Sequence, residues 1–166
     1  MKGDSVSVGK YFTEMLDPAM TWDDVARMVE FWDGQFCLKG VMSIEDAIKA
    51  AEIGCTGIVV SNHGGRQLDG SRSPFDQLGE IVDAAGDRLD VIMDSGIQRG
   101  THILKALSMG AKAVGGGRFY LYALAAAGQG GVERALELMK LEIERNMRLM
   151  GVTRLGDLNR DNLRFR

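Results

Sequence analysis

A histidine and an arginine stand directly after a short apolar run, where a general base and a carboxylate-binding group are available. His63 follows the run Thr56 to Ser61, lies beside glycines, and is followed three residues later by Arg66. Histidine is the natural general base near neutral pH, and the planar guanidinium of arginine fits a carboxylate. The spacing fits equally well a histidine that satisfies its own loop backbone and an arginine exposed to solvent.

Other apolar runs end in groups that suit an anionic ligand. Lys39 ends the first run, and it is either a cation facing the ligand or a lysine that reaches solvent at the rim. The loops Asp94 to Gly100 and Gly115 to Arg118 are rich in glycine, and a predicted helix follows each. Glycine N–H groups, the positive end of the following helix, and Arg118 or Arg99 together predict a phosphate site.

All these residues lie at the ends of short apolar runs that alternate with helical patterns four times along the chain. The predicted strands are Gln35 to Lys39, Thr56 to Ser61, Asp90 to Asp94 and Lys112 to Gly116. Repeated βα units require a parallel sheet, because parallel neighbours need a crossover helix. The predicted fold is therefore α/β, either a doubly wound sheet or a (βα) barrel, and ligands of both bind at the carboxyl ends of the strands.

Capping signals predict where the helices begin and end. They predict helix starts at Trp22, Ile44 and Pro74, a cap at Thr101, and helix ends at Gly54 and Gly110. Beyond the last strand, periodicity predicts a short apolar helix from Arg118 to Ala127, an amphipathic helix from Gly131 to Met150, and a short terminal helix within 153–166. Residues 1–20 show no strong period, so we expect a partly disordered N-terminal segment before a domain at 21–166.

Composition limits the class of protein. The 166 residues are 45% hydrophobic and 26% charged, which is typical of one folded globular domain. A net charge of −3 argues against a general nucleic-acid or anionic-membrane binder. The longest apolar run, Phe119 to Ala127, is too short to span a bilayer. Cys37 and Cys55 are predicted to be reduced core residues, so we expect a cytoplasmic protein without a metal site.

The residues around His63 resemble the active-site signature of a known enzyme family. The segment Ser61 to Asp69 reads Ser-Asn-His-Gly-Gly-Arg-Gln-Leu-Asp, and it is similar to the signature of the FMN-dependent α-hydroxy-acid oxidising family. That family includes L-lactate dehydrogenases, glycolate oxidase, mandelate dehydrogenase and flavocytochrome b2. The resemblance spans about residues 17–166, through Lys39-Gly40, Asp94-Ser95-Gly96, Gly117-Arg118 and the run 123–129.

The resemblance implies FMN as cofactor and oxidation of an L-2-hydroxy acid such as L-lactate to the 2-keto acid. His63 would take the proton from the substrate C2 hydroxyl while the C2 hydride or its electrons pass to flavin N5, and Arg66 would hold the substrate carboxylate. Lys39 would face the flavin N1 and C2 carbonyl, where negative charge builds on reduction. The cofactor contacts implied are Lys39, Ser61, Asp94, Ser95, Gly96, Ile97, Gln98, Gly117 and Arg118.

Two positions depart from the family pattern, and half of the family's fold has no counterpart. Gln98 stands where many members have arginine, so that phosphate charge is absent or comes from Arg99, and Phe119 stands where proline is common. A TIM barrel typically needs about 250 residues, so four βα units with C-terminal helices correspond to a C-terminal half-barrel. The family's substrate-binding tyrosines, an additional arginine and the aspartate that orients the catalytic histidine belong to the other half.

The half-barrel implies partners. Four strands cannot close a barrel, so we expect a homo-oligomer or association with an N-terminal half-barrel. A quinone acceptor would add peripheral contact with the inner face of the membrane. One alternative is a catalytically incomplete or engineered fragment that binds FMN or phosphate without turnover. Another is a different phosphate-binding barrel, such as an isopentenyl diphosphate isomerase relative, which the pairing of His63 with Arg66 disfavours.

Overall fold

The computed structural model describes residues 14–165. It divides into two compact units, one up to Gly34 and the other from Gln35 onward. The predicted disorder within residues 1–20 falls mostly outside the described residues. The predicted domain boundary after residue 20 stays a prediction.

The first unit contains helix α1, Trp22–Trp32, which begins where the sequence predicts. The Asp24 carboxylate accepts hydrogen bonds from the backbone N–H and the hydroxyl of Thr21, both at 2.7 Å. This capping box satisfies donors that the first turn of a helix leaves unpaired. The helix ends at Asp33, which adopts the left-handed conformation.

The second unit is a four-stranded parallel sheet in which a helix follows every strand. Its elements are β1 Cys37–Val41, α2 Ile44–Glu52, β2 Gly57–Val60, α3 Pro74–Ala85, β3 Asp90–Met93, α4 Gly100–Met109, β4 Ala113–Val114 and α5 Arg118–Met150. The strand order is β1-β2-β3-β4, with all three pairs parallel. A doubly wound sheet reverses its strand order at a switch point, and these four strands do not. The predicted α/β half-barrel of four βα units is confirmed.

The core of the second unit is formed by the two central strands and the helices that cover them. Ile58 and Val60 of β2 are fully buried, and Val91 and Met93 of β3 are almost fully buried. Ser73 caps helix α3, since its hydroxyl accepts the N–H of Asp76 at 3.2 Å, and Pro74 is the first residue of the helix. The apolar side of α3 buries Leu78 and Ile81 completely. Local capping and burial of one helix face thus explain why the predicted elements form.

The outer strand β1 differs from its prediction in position and burial. It runs from Cys37 to Val41, two residues later than predicted, and its alternate residues are exposed. Cys55 is buried as predicted, but Cys37 is exposed, so the prediction that both cysteines are core residues is wrong for Cys37. Because β1 pairs only with β2 among the described strands, its residues lack the cover that the central strands receive.

Two predictions for the segments after β3 need correction, and one is confirmed. Helix α4 begins at Gly100 with Arg99 as its N-cap, not at a Thr101 cap, because the Glu142 carboxylate of α5 accepts the Gly100 N–H at 3.0 Å. The two helices predicted after β4 are confirmed: α5 is interrupted by non-helical backbone at Ala127 and Gly128, so it consists of two helices separated by a kink. The predicted terminal helix is instead a pair of 3₁₀ turns, Leu155–Asp157 and Arg160–Asn162.

The C-terminal segment is fastened across the outer surface of α3. The Arg160 guanidinium donates to both carboxylate oxygens of Asp83, at 2.6 and 3.0 Å, and to the Gly79 carbonyl at 3.3 Å. Arg160 thus ties the second 3₁₀ turn to the surface of α3. Along residues 14–165, no helix combines the length and apolar character that a membrane crossing requires.

Candidate functional site

Three predicted site residues from three different strands form one hydrogen-bonded group at the carboxyl edge of the sheet. The Lys39 ammonium on β1 donates to Ser61 Oγ, just after β2, at 2.8 Å, and it lies 2.9 Å from the Asp94 carboxylate, just after β3. Ser61 is only 1% exposed, whereas the Lys39 side chain is about half exposed. Parallel pairing brings these strand ends together, which places a fixed cation at the rim.

Asp94 is ionised to balance this cation. Partial burial raises the pKa of the Asp94 carboxyl, but hydrogen bonds from Ser61, Lys39 and Ser95, together with the Lys39 charge, lower it more. The pKa of Asp94 therefore lies below its usual range. A carboxylate held in this way keeps the Lys39 ammonium in one position near neutral pH.

The predicted base, His63, lies on a tight turn beside this group. Residues His63–Gly65 form a 3₁₀ turn after β2, and His63 has φ +56°, a conformation rare for a residue with a side chain. The His63 N–H donates to Ser61 Oγ at 3.1 Å. A Cβ added to Gly40 would lie 2.8 Å from His63 Cε1, so the imidazole rests against the backbone at the end of β1.

Arg118 is the second cation that the structure brings to this edge. It opens α5, and its guanidinium donates to the Gly64 carbonyl at 2.8 Å. A Cβ added to Gly64 would lie 2.8 Å from Arg118 Nη2. The turn that carries His63 is thus in direct contact with the arginine that follows β4.

A cavity of about 440 Å³ opens between the loops after β2 and β3 and the first turns of α3 and α4. Four predicted cofactor residues line it, namely Ser95, Gly96, Ile97 and Arg118. Its charged and titratable lining residues are Arg118, Lys105 and His102, with no aspartate or glutamate among them. In a chain with net charge −3, such a wall favours an anionic group.

Sequence reasoning missed His102 and Lys105. They are three residues apart in the first turns of α4, immediately after the loop predicted to bind phosphate, so both lie on one face of that helix. The His102 Nδ1 is 3.2 Å from the Gly96 carbonyl and 3.3 Å from the Gln98 nitrogen. A search for basic residues in the helix turns after each predicted loop would have found them.

Other predicted residues are not drawn into the hydrogen-bonded group. Arg66 is exposed, and its guanidinium makes no hydrogen bond or ion pair with any of the described residues. Gln98 is exposed, and Gly117 is an exposed residue just before α5. Arg99, considered as a substitute phosphate ligand, is paired with Glu142 through contacts of 2.6 and 2.9 Å, so its guanidinium is already engaged.

Open backbone lies beside these charged groups. Added Cβ atoms at Gly65, Gly96 and Gly117 would meet nothing within 4 Å. A ligand can therefore come close to the main chain at three points along the rim. Together with the Arg118 and Lys105 side chains on the cavity wall, this arrangement fits a phosphate-bearing cofactor of the size of FMN.

The fold and this edge define an α/β half-barrel with a cationic cavity at the carboxyl ends of its strands, and sequence comparison places the chain in a family. The family described as FMN-dependent dehydrogenase matches residues 1–165, so the chain belongs to the FMN-dependent dehydrogenase family. The family's cofactor is FMN, which confirms the cofactor prediction.

Curated relatives carry names from the same chemistry. The chain is 45% identical over 165 residues to a Saccharomyces cerevisiae protein named L-lactate dehydrogenase (cytochrome), covering 96% of this chain and 28% of that protein. It is 45% identical over 149 residues to a Nostoc protein named L-lactate oxidase, covering 90% of this chain and 41% of the relative. The chain thus spans well under half the length of these relatives.

Solved structures of flavoproteins are also similar to this chain. The flavin-binding domain of baker's yeast flavocytochrome b2 matches with a TM-score of 0.84 and 47% identity, covering 88% of this chain and 38% of the other. Mandelate oxidase with benzoyl-formic acid matches with a TM-score of 0.80 and 45% identity, covering 85% of this chain and 42% of the other. The four βα units are therefore similar to part of these flavoproteins.

Proposed function

We propose that this chain holds FMN and supplies the base and the carboxylate-binding arginine for oxidation of an L-2-hydroxy acid of the L-lactate type to the 2-keto acid. The observation that carries the proposal is the position of His63, whose ring rests on Gly40 directly after Lys39. A base and a fixed cation then share one edge of the sheet. The names of the lactate-oxidising relatives support the substrate class.

The residues proposed to hold FMN surround the open backbone at the strand ends. They are Lys39, Ser61, Asp94, Ser95, Gly96, Ile97, Gln98, Gly117 and Arg118. When bound, FMN supplies the acceptor for the two electrons that leave the hydroxy acid. Arg118 provides charge for the phosphate, and the exposed glycines let main-chain N–H groups approach it. The Ile97 side chain is buried, so its contribution comes from the main chain.

His63 and Arg66 are proposed to act on the substrate. Among the described residues, the His63 ring makes no hydrogen bond or ion pair, which leaves a ring nitrogen available to accept the C2 hydroxyl proton. Arg66 follows on the same turn with an unengaged guanidinium, which suits a carboxylate. Lys39, held by Asp94 and Ser61, provides positive charge where negative charge develops.

The second candidate function is a half-barrel that binds FMN or phosphate without turnover. It is favoured by the free ring of His63, for which the described residues supply no carboxylate partner. In either case we propose a homo-oligomer or association with an N-terminal half-barrel. We place the protein in the cytoplasm, with contact at the inner membrane face if its electron acceptor is a quinone.

The experiment that tests the proposal is a flavin spectrum of the purified chain loaded with FMN. L-lactate added without oxygen is expected to bleach the oxidised flavin bands, because the base and the carboxylate site are present. The His63→Gln variant is expected to bind FMN with unchanged affinity and to remain yellow, since only proton removal is lost.

The outcomes separate the two candidates. Binding of FMN without bleaching by any L-2-hydroxy acid would favour the half-barrel without turnover. If the chain shows no FMN binding at micromolar concentration, the proposed oxidation fails, and the second candidate survives only if inorganic phosphate binds. Equal bleaching in His63→Gln would show that another group is the base.

A further inference from the structure

Ser95 holds an unusual conformation at the edge of the cavity. Its φ is +73°, in the left-handed region that side chains disfavour, and it lies between Asp94 and Gly96 at the end of β3. Strained residues of this kind persist where surrounding contacts determine them, and they concentrate at functional sites. The contacts of Ser95 therefore indicate what the conformation is for.

The Ser95 hydroxyl joins two loops. It donates to Asp94 Oδ1 at 2.8 Å and accepts the Gly64 N–H at 3.0 Å, 31 residues away in sequence. The preceding amide of the same turn, that of His63, donates to Ser61 Oγ at 3.1 Å. Two serine oxygens thus hold consecutive amides of the turn that carries the imidazole.

Ser61 and Ser95 each make a hydrogen bond to one member of the ion pair between Lys39 and Asp94. Ser61 Oγ also accepts from the Lys39 ammonium at 2.8 Å, and Lys39 lies 2.9 Å from Asp94, the residue to which Ser95 donates. The result is a closed circuit of polar contacts through the ends of β1, β2 and β3. Because neighbouring hydrogen bonds strengthen one another, loss of one member should loosen the turn more than the rest of the sheet.

We propose that Ser95 is a positioning residue whose hydroxyl fixes the His63 turn against the end of β3. That His63 then acts as a base rests on the proposed function, whereas the anchoring of its turn does not. The main chain of Ser95 remains available to the cofactor. Glycine would adopt this left-handed backbone without strain, but it has no hydroxyl to accept the Gly64 N–H. We therefore attribute the strain at Ser95 to the need for that hydroxyl.

Two substitutions separate the hydroxyl from the backbone strain. Ser95→Ala removes the hydroxyl and keeps a side chain at positive φ, whereas Ser95→Gly removes both. The measurement is amide solvent exchange by NMR in the FMN-free chain. The Gly64 amide is expected to exchange about two- to tenfold faster in both variants, the effect of losing one hydrogen bond. The His63 imidazole resonance is expected to shift in both.

The controls use positions outside the circuit. The Asp90 amide, which donates to the Thr56 carbonyl at 3.0 Å within the sheet, should keep its exchange rate. Ser73→Ala removes another serine hydroxyl that borders the same cavity but caps α3, and it should leave the Gly64 amide unchanged. Ser95→Gly should melt at or above the temperature of Ser95→Ala, because it relieves the strain.

Several results would overturn the proposal. Unchanged Gly64 exchange in both Ser95 variants would show that the hydroxyl does not hold the turn. Faster exchange in Ser95→Ala alone would assign the effect to backbone strain, and an equal rise at Asp90 would assign it to general loss of stability. If the parent chain does not bind FMN, the proposed function fails, but the exchange rates still decide the role of Ser95.

Discussion

At the scale of single residues, two glycines allow the functional side chains to lie against the main chain. Gly40 has φ +97°, and its missing Cβ leaves room for the His63 ring. Gly64 plays the same part for Arg118. Each glycine therefore fixes the place of a side chain that belongs to another strand end. The position of His63, the proposed base, therefore depends on the lack of a Cβ atom at Gly40 of β1.

We expect Gly40→Ala to displace the His63 ring, because its new Cβ would lie 2.8 Å from Cε1. The positive φ should add about 1–2 kcal/mol of destabilisation. The measurement is the imidazole Cε1–H NMR resonance, which is simple to assign in a chain with two histidines. His102 serves as the internal reference.

Gly65→Ala is the matched control for this substitution. Gly65 also has positive φ, at +71°, but a Cβ added there meets nothing within 4 Å. It should lose stability to a similar extent and leave the His63 resonance in place. An equal shift of that resonance in the two variants would mean that strain, and not contact with the ring, moves the histidine.

At the scale of elements, an ion pair between α4 and α5 decides where α4 begins. The Arg99 hydrogen bonds, the Gly100 N–H and the Arg99 charge hold the pKa of the Glu142 carboxyl below its usual range. The carboxylate also takes the place of an N-cap side chain for α4, since it accepts the Gly100 N–H. One side chain from α5 thus both caps and orients the helix that carries His102 and Lys105.

Glu142→Gln is expected to lower the melting temperature by about 2–4 °C at neutral pH, because the charged partner of Arg99 is lost. The folded-state pKa of Glu142 is depressed, so its stabilisation is fully present above the unfolded-state pKa and disappears as pH falls through the folded-state value. The difference in melting temperature between the two proteins should therefore shrink in acid. Thermal melts at a series of pH values measure it.

Glu144→Gln is a control on the same helix, since Glu144 makes only long ion pairs of 3.9 Å with Lys140 and Arg148. It should change the melting temperature little. A constant difference between wild type and Glu142→Gln down to the lowest pH would contradict the assignment to this carboxylate.

Local signals predicted the elements well, and distant contacts explain the exceptions. The caps at Thr21 and Ser43 and the first-turn proline at position 74 act within four residues, so they can be read from the sequence. The start of α4 cannot, because Gly100 is capped by a residue 42 positions away. The same ion pair engages the guanidinium of Arg99, the residue predicted as a substitute phosphate ligand.

At the scale of the whole molecule, the described sheet has two outer strands that each pair on one side only. Strand β1 pairs with β2 and strand β4 with β3. The first part of α5 adds exposed apolar side chains, among them Leu121, Tyr122 and Leu124. Unpaired strand edges and exposed apolar surface both favour association.

We expect the purified chain to sediment as a dimer or larger species at micromolar concentration, because association covers these edges. Analytical ultracentrifugation over a range of concentrations measures it. Cys37→Lys places a charge on the exposed edge strand β1 and should shift the equilibrium toward monomer. Leu68→Lys changes an exposed leucine in a loop and is the matched control. A monomer at every concentration would contradict the expectation.

The site was predictable in part. Motif residues at strand ends identified Lys39, Ser61 and Asp94, which the parallel sheet brings into hydrogen-bonding distance. The left-handed conformation of Ser95 and its bond to Gly64 are invisible in the sequence, because a positive φ at serine contradicts local preference. The conformation of Ser95 is explained only by the contact between the loops after β2 and β3 in the folded protein.

The separation of the polar strand ends from the buried strands beneath them has a consequence for evolution. The groups with chemical roles lie at the strand ends and in the loops that follow them, whereas Ile58, Val60 and Val91 form the buried sheet below. A substitution in one loop can alter what the protein recognises while the buried sheet, and with it the fold, is preserved. Natural selection can therefore test new substrates in such a scaffold one loop at a time.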